Sequence, residues 1–397
     1  MIDLGSHRQS FGALFVRFLR FGFFAWGGPV AQIEMIRREV VEEQQWVDPA
    51  RFNRLLAVYQ VLPGPEAHEL CVHLGMMQRG RLGGLLAGLG FMLPGLLFML
   101  VLSWLYGQFD LDNPLLAAML LGLQIGVIAL IVRAVHRIAA HILEDKWLWA
   151  TTLGVGAAAL AGVAFWITLP AAGLAYSLVA SGRRLIAAGV VVLAMALAII
   201  TGDLSTVAQA SPAASAMAAG SASALALFFS GLKAGLLTFG GAYTAIPFLR
   251  DDAAARGWVD DTTFLDGLAF SQMIPAPLII FATFVGYQAG GLVGALTITA
   301  GIFLPAFSFT LIFFNRLESI VDDERLQRFL AGVAAGVVGL IAATTLQLGA
   351  GVADAVPYYI PALLIFGVAI VILYRLKSKL AVPAVLLLAA AAGAAGF

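Results

Sequence analysis

The sequence is short of charge and of cysteine, and both shortages limit what the chain can be. Charged residues make up 12% of the chain and hydrophobic residues 61%, so the apolar stretches cannot all be buried in one soluble core. The formal net charge is zero, which argues against a nucleic-acid partner because phosphate binding requires a concentrated basic face. The single cysteine, Cys71, excludes an intrachain disulfide.

Several motifs of ATP-driven and enzymatic proteins are also absent. No Gly-Lys dipeptide occurs, so the chain has no Walker A loop to hold the phosphates of ATP, and any energy must come from an ion or exchange gradient. GxSxG, HExxH and four-cysteine clusters are missing as well. We therefore predict a protein that is not an enzyme and that has no catalytic residue, no metal and no cofactor.

Long apolar windows fill almost the whole chain. A helix that spans a bilayer needs roughly 20 apolar residues, and this criterion predicts an all-α polytopic membrane protein with about thirteen membrane segments. Some windows are short or contain prolines, so we expect half-helices or re-entrant segments among them. The predicted segments are 11–30, 55–78, 82–106, 114–135, 147–167, 169–181, 184–201, 225–247, 264–288, 292–314, 329–350, 356–374 and 380–397.

The chain contains an internal duplication. FAWGGP at 24–29 matches TFGGAY at 238–243, and YQVLPGP at 59–65 matches SQMIPAP at 271–277. Further matches follow with an offset that drifts only from 213 to 210, which makes a chance origin implausible. We predict a first repeat at 1–183, a linking membrane segment and Ala/Ser-rich linker at 184–224, and a second repeat at 225–397.

The charges of equivalent loops predict how the repeats are oriented. Short cytoplasmic loops are enriched in Lys and Arg. The basic loop at 79–81 corresponds to the uncharged loop at 289–291, and the acidic loop at 107–113 corresponds to basic 315–328. Equivalent loops then lie on opposite faces, which predicts inverted repeats in the inner membrane, a cytoplasmic N-terminus and a periplasmic or extracellular C-terminus. The alternative is a parallel repeat with uneven charges.

Breaks in the predicted helices indicate where a substrate would bind. Inverted repeats with broken helices are typical of secondary transporters, whose substrates bind near the midplane between the halves. We expect half-helices to begin at Pro65 and Pro277, with amides and positive dipole ends that favour an anion. The alternative is that each proline pair only kinks a packed helix. The matched breaks are Gly27-Gly28 with Gly240-Gly241, and Pro63-Gly64-Pro65 with Pro275-Ala276-Pro277.

Two basic residues lie in otherwise apolar segments. Arg20 aligns with Lys233, and each lies seven residues before its diglycine. A cation in such a segment is costly unless it snorkels, pairs or contacts a ligand. We assign this pair to attraction of an anion, and snorkelling to the membrane surface is the alternative.

A run of polar residues follows the first proline pair only. If this run is helical, Glu66, Glu69 and His73 share one face. Uptake of a proton by Glu66 in a low-dielectric site would accompany anion binding, so Glu66 is the predicted proton-coupling residue. The alternative is that its charge only complements the helix dipole. A hypothesis from another class is a membrane enzyme or sensor that uses the Glu66, Glu69 and His73 face.

These motifs together resemble the chromate ion transporter family in its long, two-domain form. The resemblance rests on LPGPEAHELCVHLG, on GRLGGLLAGLGFMLPG and on their counterparts in the second half, and it covers nearly the whole chain. It implies export of chromate across the inner membrane, with sulfate as a related oxyanion, and hence chromate resistance; a sulfate importer or exchanger is the alternative. Membrane lipid is the other expected partner, and a homodimer is plausible for such a fold. Residues that carry over by motif are Gly27, Gly28, Pro63, Gly64, Pro65, Glu66, Gly240, Gly241, Pro275 and Pro277, whereas Ala276 replaces the glycine of the family motif.

Overall fold

The computed structural model describes residues 9–110, 113–201, 222–239, 241–313, 323–376, 378 and 380–397. Within these ranges the fold is helical and has no β-strand. Gly240 and most of the predicted linker lie outside the described residues. The α-helices are α1 (Phe11–Phe23), α2 (Gly28–Arg37), α3 (Pro49–Val61), α4 (Glu66–Tyr106), α5 (Pro114–Ile142), α6 (Lys146–Leu160), α7 (Phe165–Ala180), α8 (Arg184–Ile200), α9 (Ala224–Leu236), α10 (Ile246–Ala255), α11 (Asp261–Met273), α12 (Phe281–Ser308), α13 (Glu324–Ala355), α14 (Tyr359–Arg375) and α15 (Ala381–Gly396).

Four short elements extend these helices. A π-helical turn at Arg38–Glu43 continues α2, and another at Phe309–Phe313 continues α12. One 3₁₀ turn, Ala242–Ala245, precedes α10, and a second, Leu278–Ile280, precedes α12. Both 3₁₀ turns lie directly after matched breaks of the duplication, so the breaks coincide with irregular backbone.

Helix length and composition fit a membrane-integral protein. Among the described residues, four helical stretches are long and apolar enough to cross a bilayer: Glu66–Tyr106, Pro114–Ile142, Leu278–Ile312 and Glu324–Ala355. Five shorter apolar helices accompany them, and large apolar side chains such as Leu185, Leu193 and Ile200 stay exposed on α8. The predicted segment 11–30 is interrupted at the predicted break, because α1 ends at Phe23 and Gly27 takes a φ of 91° before α2 begins.

Helix α4 is a hairpin whose two arms lie side by side. The backbone reverses at Arg79 and Gly80, where Gly80 has a φ of 64°, and Gly75 on the first arm (66–78) then packs against Ala87 on the second arm (81–106). Helix α12 reverses in the same way at Gly290 and Gly291, with a φ of 60° at Gly291. Only glycine adopts this backbone readily, which explains why matched glycines occupy both turns.

The polypeptide also folds back at each proline pair. Asp48 and Asp260, in the matched WVD motifs, cap the starts of α3 and α11. Each carboxylate accepts a hydrogen bond from the backbone amide three residues later, at 2.9 Å in α3 and 2.7 Å in α11. After the first proline pair, the first arm of α4 runs back alongside α3, since Tyr59 Oη on α3 lies 2.9 Å from His73 Nδ1 on that arm. In the second half, the ring centroids of Phe264 on α11 and Phe281 on α12 lie 5.5 Å apart. Each proline pair is therefore the tip of a helical pair and not a kink in one continuous helix.

Equivalent helices of the two repeats pack in equivalent ways. A Cβ atom at Gly22 of α1 would lie 2.8 Å from Pro94 in α4, and one at Gly235 of α9 would lie 3.1 Å from Pro305 in α12. These four residues occupy matched positions of the duplication. The repeat visible in the sequence is thus also a repeat of side-chain packing.

Helices of each half pack against helices of the other half. Helix α5 of the first half packs against α15 of the second, where a Cβ at Gly122 would lie 2.8 Å from Gly393 Cα. Reciprocally, α13 of the second half packs against α7 of the first, where a Cβ at Gly332 would lie 2.9 Å from Gly173 Cα. The two contacts join matched helices of the duplication.

The long second arms of α4 and α12 contact each other at the centre. Gly84 faces Leu311 and Gly88 faces Phe307, so contact positions rise along one helix as they fall along the other. The two helices therefore run in opposite directions. A large apolar core continues across this contact and includes Met99, Ile131 and Phe281, all of them buried.

Candidate functional site

The breaks of the first half meet the breaks of the second half. Gly64, between the first two prolines, donates its backbone amide to the carbonyl oxygen of Thr238, just before the second diglycine, at 2.9 Å. Gln32, just after the first diglycine, donates Nε2 to the carbonyl oxygens of Ala276 and Ala25, each at 3.0 Å. The proline pair of each half thus contacts the segment beside the diglycine of the other half. The two proline pairs and the two diglycine segments together form the candidate site.

The two proline pairs differ in backbone geometry. Gly64 has a φ of 150°, a backbone conformation that favours glycine. A Cβ there would also lie 2.7 Å from Glu69 Oε1, so a side chain at this position would displace the Glu69 carboxyl group. Ala276 is not among the residues with positive φ, and its methyl group packs against Gly95. Alanine therefore fits the second pair without strain, although the first pair has glycine at the matched position.

New helical segments begin at each break, close to the predicted positions. The first arm of α4 begins at Glu66, after Pro65, and a 3₁₀ turn begins at Leu278, after Pro277. Helix α2 begins at Gly28, and the 3₁₀ turn before α10 follows Gly241, whose φ is 122°. The first amides of such segments lack intrahelical acceptors, so four sets of hydrogen-bond donors border the candidate site.

The polar run after Pro65 is helical, as predicted. Glu66 is partly exposed at the start of the arm, whereas Glu69 is fully buried. Within the described ranges, neither oxygen of the Glu69 carboxyl group has a hydrogen-bond partner. His68 is held between aromatic rings, 4.9 Å from the centroid of Phe303 and 4.7 Å from that of Phe307.

The two aligned cations lie in different surroundings. Arg20 is exposed and lines an open cavity of ≈ 570 Å³ that extends to Trp26, beside the first diglycine. Arg17 lines the same cavity and pairs with Glu39. Lys233 instead forms an ion pair with Asp252, with Nζ 2.5 Å from Oδ1. An oxyanion could meet Arg20 directly, whereas at Lys233 it would compete with Asp252.

A second buried carboxyl group was not predicted. Asp266 on α11 accepts hydrogen bonds from Tyr106 Oη and Gln124 Nε2 of the first half, both at 2.8 Å. Its sequence signal was available, because Asp266 is the only charged residue in the predicted segment 264–288. Gln32 offered no such signal, since its partner Ala276 lies 244 residues away.

The chain is similar to known membrane transport proteins over nearly its whole length. The family model described as Chromate transporter matches residues 12–182 and 225–396. A chromate transport protein of Pseudomonas aeruginosa is 58% identical, over 97% of this chain and 92% of that protein. A chromate transport protein of Cupriavidus metallidurans is 29% identical, over 84% and 82% of the two chains. No solved structure gives a significant match. The family match spans most of both halves, and the chain belongs to the chromate transporter family.

Proposed function

We propose that the protein is a secondary transporter that exports chromate from the cytoplasm across the inner membrane. Membership of the chromate transporter family and the 58% identity to a chromate transport protein support chromate as the substrate. The observation that carries the proposal is the pair of reciprocal contacts, Gly64 with Thr238 and Gln32 with Ala276. They join the broken segments of both halves at one place, which is where such transporters bind their substrates.

We further propose two inverted repeats, 1–183 and 225–397, with about thirteen membrane segments in total. The opposite directions of the second arms of α4 and α12 support this arrangement, because equivalent helices of a parallel repeat would run the same way. The loop charges support it independently. On this proposal the N-terminus is cytoplasmic, the C-terminus is on the other face, and the extra membrane segment near 184–201 reverses the orientation of the second half.

The proposed binding chemistry uses the donors at the four breaks. Amides after Gly28, Pro65, Gly241 and Pro277 replace the water molecules around a tetrahedral oxyanion, and the segment dipoles favour its charge. Arg20 attracts the anion into the open cavity, and Lys233 exchanges Asp252 for the anion during the cycle. Glu66 takes up a proton at the edge of the site.

The competing substrate is sulfate, which has the same tetrahedral shape and charge. Hydrogen-bond donors that fit one dianion also fit the other, so a sulfate importer or exchanger remains the second candidate. Growth of a sulfate-uptake mutant on limiting sulfate separates the two. Rescue by this protein would favour sulfate, and chromate resistance without rescue would favour chromate export.

The proposal is tested by counterflow in proteoliposomes. Vesicles that contain the purified protein are loaded with unlabelled chromate and diluted into labelled chromate. We expect transient accumulation of label, which empty liposomes do not show, and we expect sulfate to inhibit less strongly than unlabelled chromate. No accumulation by correctly inserted protein would contradict chromate transport and would favour sulfate or another oxyanion as the substrate. If sulfate did not cross the membrane either, the membrane enzyme or sensor hypothesis would be the better account.

A further inference from the structure

Glu69 carries a carboxyl group that is buried and unpaired. Its side chain is 0% exposed, and both oxygens lack a hydrogen-bond partner in the part of the chain that the structure describes. Asp266 is equally buried, but each of its oxygens accepts a hydrogen bond at 2.8 Å. Asp266 is therefore explained by its contacts between the halves, whereas no hydrogen-bond donor among the described residues reaches the Glu69 carboxyl group.

The groups that face Glu69 do not compensate an ionised carboxylate. Glu66 on the same arm is an acid, and its charge would repel that of Glu69. Tyr59 on α3 is within electrostatic range, but its hydroxyl group is engaged with His73. The positive charge of Arg51 on α3 interacts electrostatically with the imidazole of His73. From the second half, the Thr238 carbonyl oxygen lies at Gly64, just before this arm, and the Thr310 hydroxyl group lies near Tyr59. The neighbouring imidazole of His68 faces the rings of Phe303 and Phe307.

An unpaired, ionised carboxylate in such surroundings is strongly unfavourable, and this favours the neutral, protonated form of the carboxyl group in this conformation. Glu66 is three residues earlier on the same helix and is partly exposed, so it connects Glu69 to water. In this route an O–H bond of Glu66 breaks as one forms on the Glu69 carboxylate. Glu66 then returns to its ionised form and takes the next proton from water.

Glu69 also lies where its charge would affect the anion. Its Oε1 is 2.7 Å from the position of a Cβ on Gly64, and the Gly64 amide makes the contact with Thr238 across the halves. Loss of the proton places a negative charge beside the donors that border the candidate site. That charge repels a bound oxyanion and disturbs the contact between the halves.

We propose that Glu69 is the proton-binding site that couples proton movement to oxyanion transport, with Glu66 as its proton donor. The inference rests on the proposed function for the oxyanion and adds the residue that binds the coupling ion. Because a glutamine at this position is permanently neutral and nearly the same size, Glu69→Gln separates proton binding from folding. Glu34, an exposed acid on α2, provides the matched control Glu34→Gln.

The first test is independent of chromate. Infrared difference spectra of the purified protein at neutral pH, wild type minus Glu69→Gln, should contain the carbonyl band of a protonated carboxylic acid. The wild type minus Glu34→Gln difference should lack it. Absence of the band from the first difference would overturn the proposal, whatever the protein transports.

The second test follows chromate counterflow as a function of pH. The wild-type rate should fall by up to about tenfold per pH unit above the point at which Glu69 releases its proton, because a single group titrates. Glu69→Gln should keep counterflow at a level that pH does not change, and Glu34→Gln should behave as wild type. A pH dependence that survives in Glu69→Gln but disappears in Glu66→Gln would overturn the assignment. If the wild type shows no counterflow at all, the chromate function fails, and the infrared band alone decides whether Glu69 binds a proton.

Discussion

Replacing Gly64 with alanine perturbs the candidate site in two separable ways. The backbone at Gly64 has a φ of 150°, which residues with a side chain rarely adopt. A new methyl group would also lie 2.7 Å from Oε1 and 2.9 Å from Cδ of the buried Glu69. Because the Glu69 carboxyl group is fully buried, the new methyl group would displace either that side chain or the tip of the proline pair.

Each effect has its own magnitude. Holding a non-glycine residue in a sparsely populated backbone region costs about 1–3 kcal/mol. Inserting a methyl group into a packed interior costs about 1–3 kcal/mol more. We therefore expect Gly64→Ala to lower the free energy of unfolding by about 2–6 kcal/mol. The double variant Gly64→Ala/Glu69→Ala should lack the steric part of the Gly64→Ala effect and keep the backbone part.

The assay compares matched variants of the purified protein in detergent by apparent melting temperature and by chromate counterflow. Gly12→Ala is the control for an added methyl group, because a Cβ at Gly12 meets no atom within 4 Å. Ala276→Gly is the control at the equivalent position of the second half and should cost about 1 kcal/mol, since it removes one buried methyl group. Gly64→Ala with wild-type melting and counterflow would refute the geometry assigned to the proline pair.

Three further predictions use contacts of the same region. Gln32→Ala should cost about 1–3 kcal/mol of stability and slow counterflow, because it leaves buried carbonyl oxygens unpaired; unchanged stability in thermal melts would argue against the contact. Lys233→Ala should reduce counterflow by about tenfold or more, equivalent to about 1.4 kcal/mol, with normal membrane insertion. If Asp252→Ala restores transport to Lys233→Ala, the lysine serves only the ion pair and does not bind the anion. Tyr106→Phe should cost about 1–3 kcal/mol by removing a donor to Asp266, measured in the same melts, and a neutral effect would contradict that hydrogen bond.

Local signals in the sequence predicted the breaks well. Prolines and glycines restrict or free the backbone wherever they occur, so the starts after Pro65 and Pro277 were placed within one residue. The boundary between the predicted segments 55–78 and 82–106 likewise coincides with the turn at Arg79 and Gly80. In the segment 11–30 the diglycine predicted the break, but not that α1 ends at Phe23, four residues before Gly27.

Contacts between distant residues could not be predicted from local patterns. The duplication indicated that the halves correspond, but not that Gly64 binds Thr238 or that Gln32 bridges to Ala276. Likewise, the alignment placed Lys233 opposite Arg20 but could not reveal that Asp252 neutralises it. Such pairs depend on how helices pack in three dimensions, and a single sequence carries no record of that packing.

Chromate accumulation in everted inner-membrane vesicles tests the central claim most directly, because the cytoplasmic face of the protein is then outside. We expect vesicles with the wild-type protein to accumulate labelled chromate, vesicles from vector-only cells to accumulate none, and Gly64→Ala vesicles to accumulate much less at equal protein content. Wild-type vesicles that contain correctly inserted protein yet take up no chromate would contradict outward transport through this site.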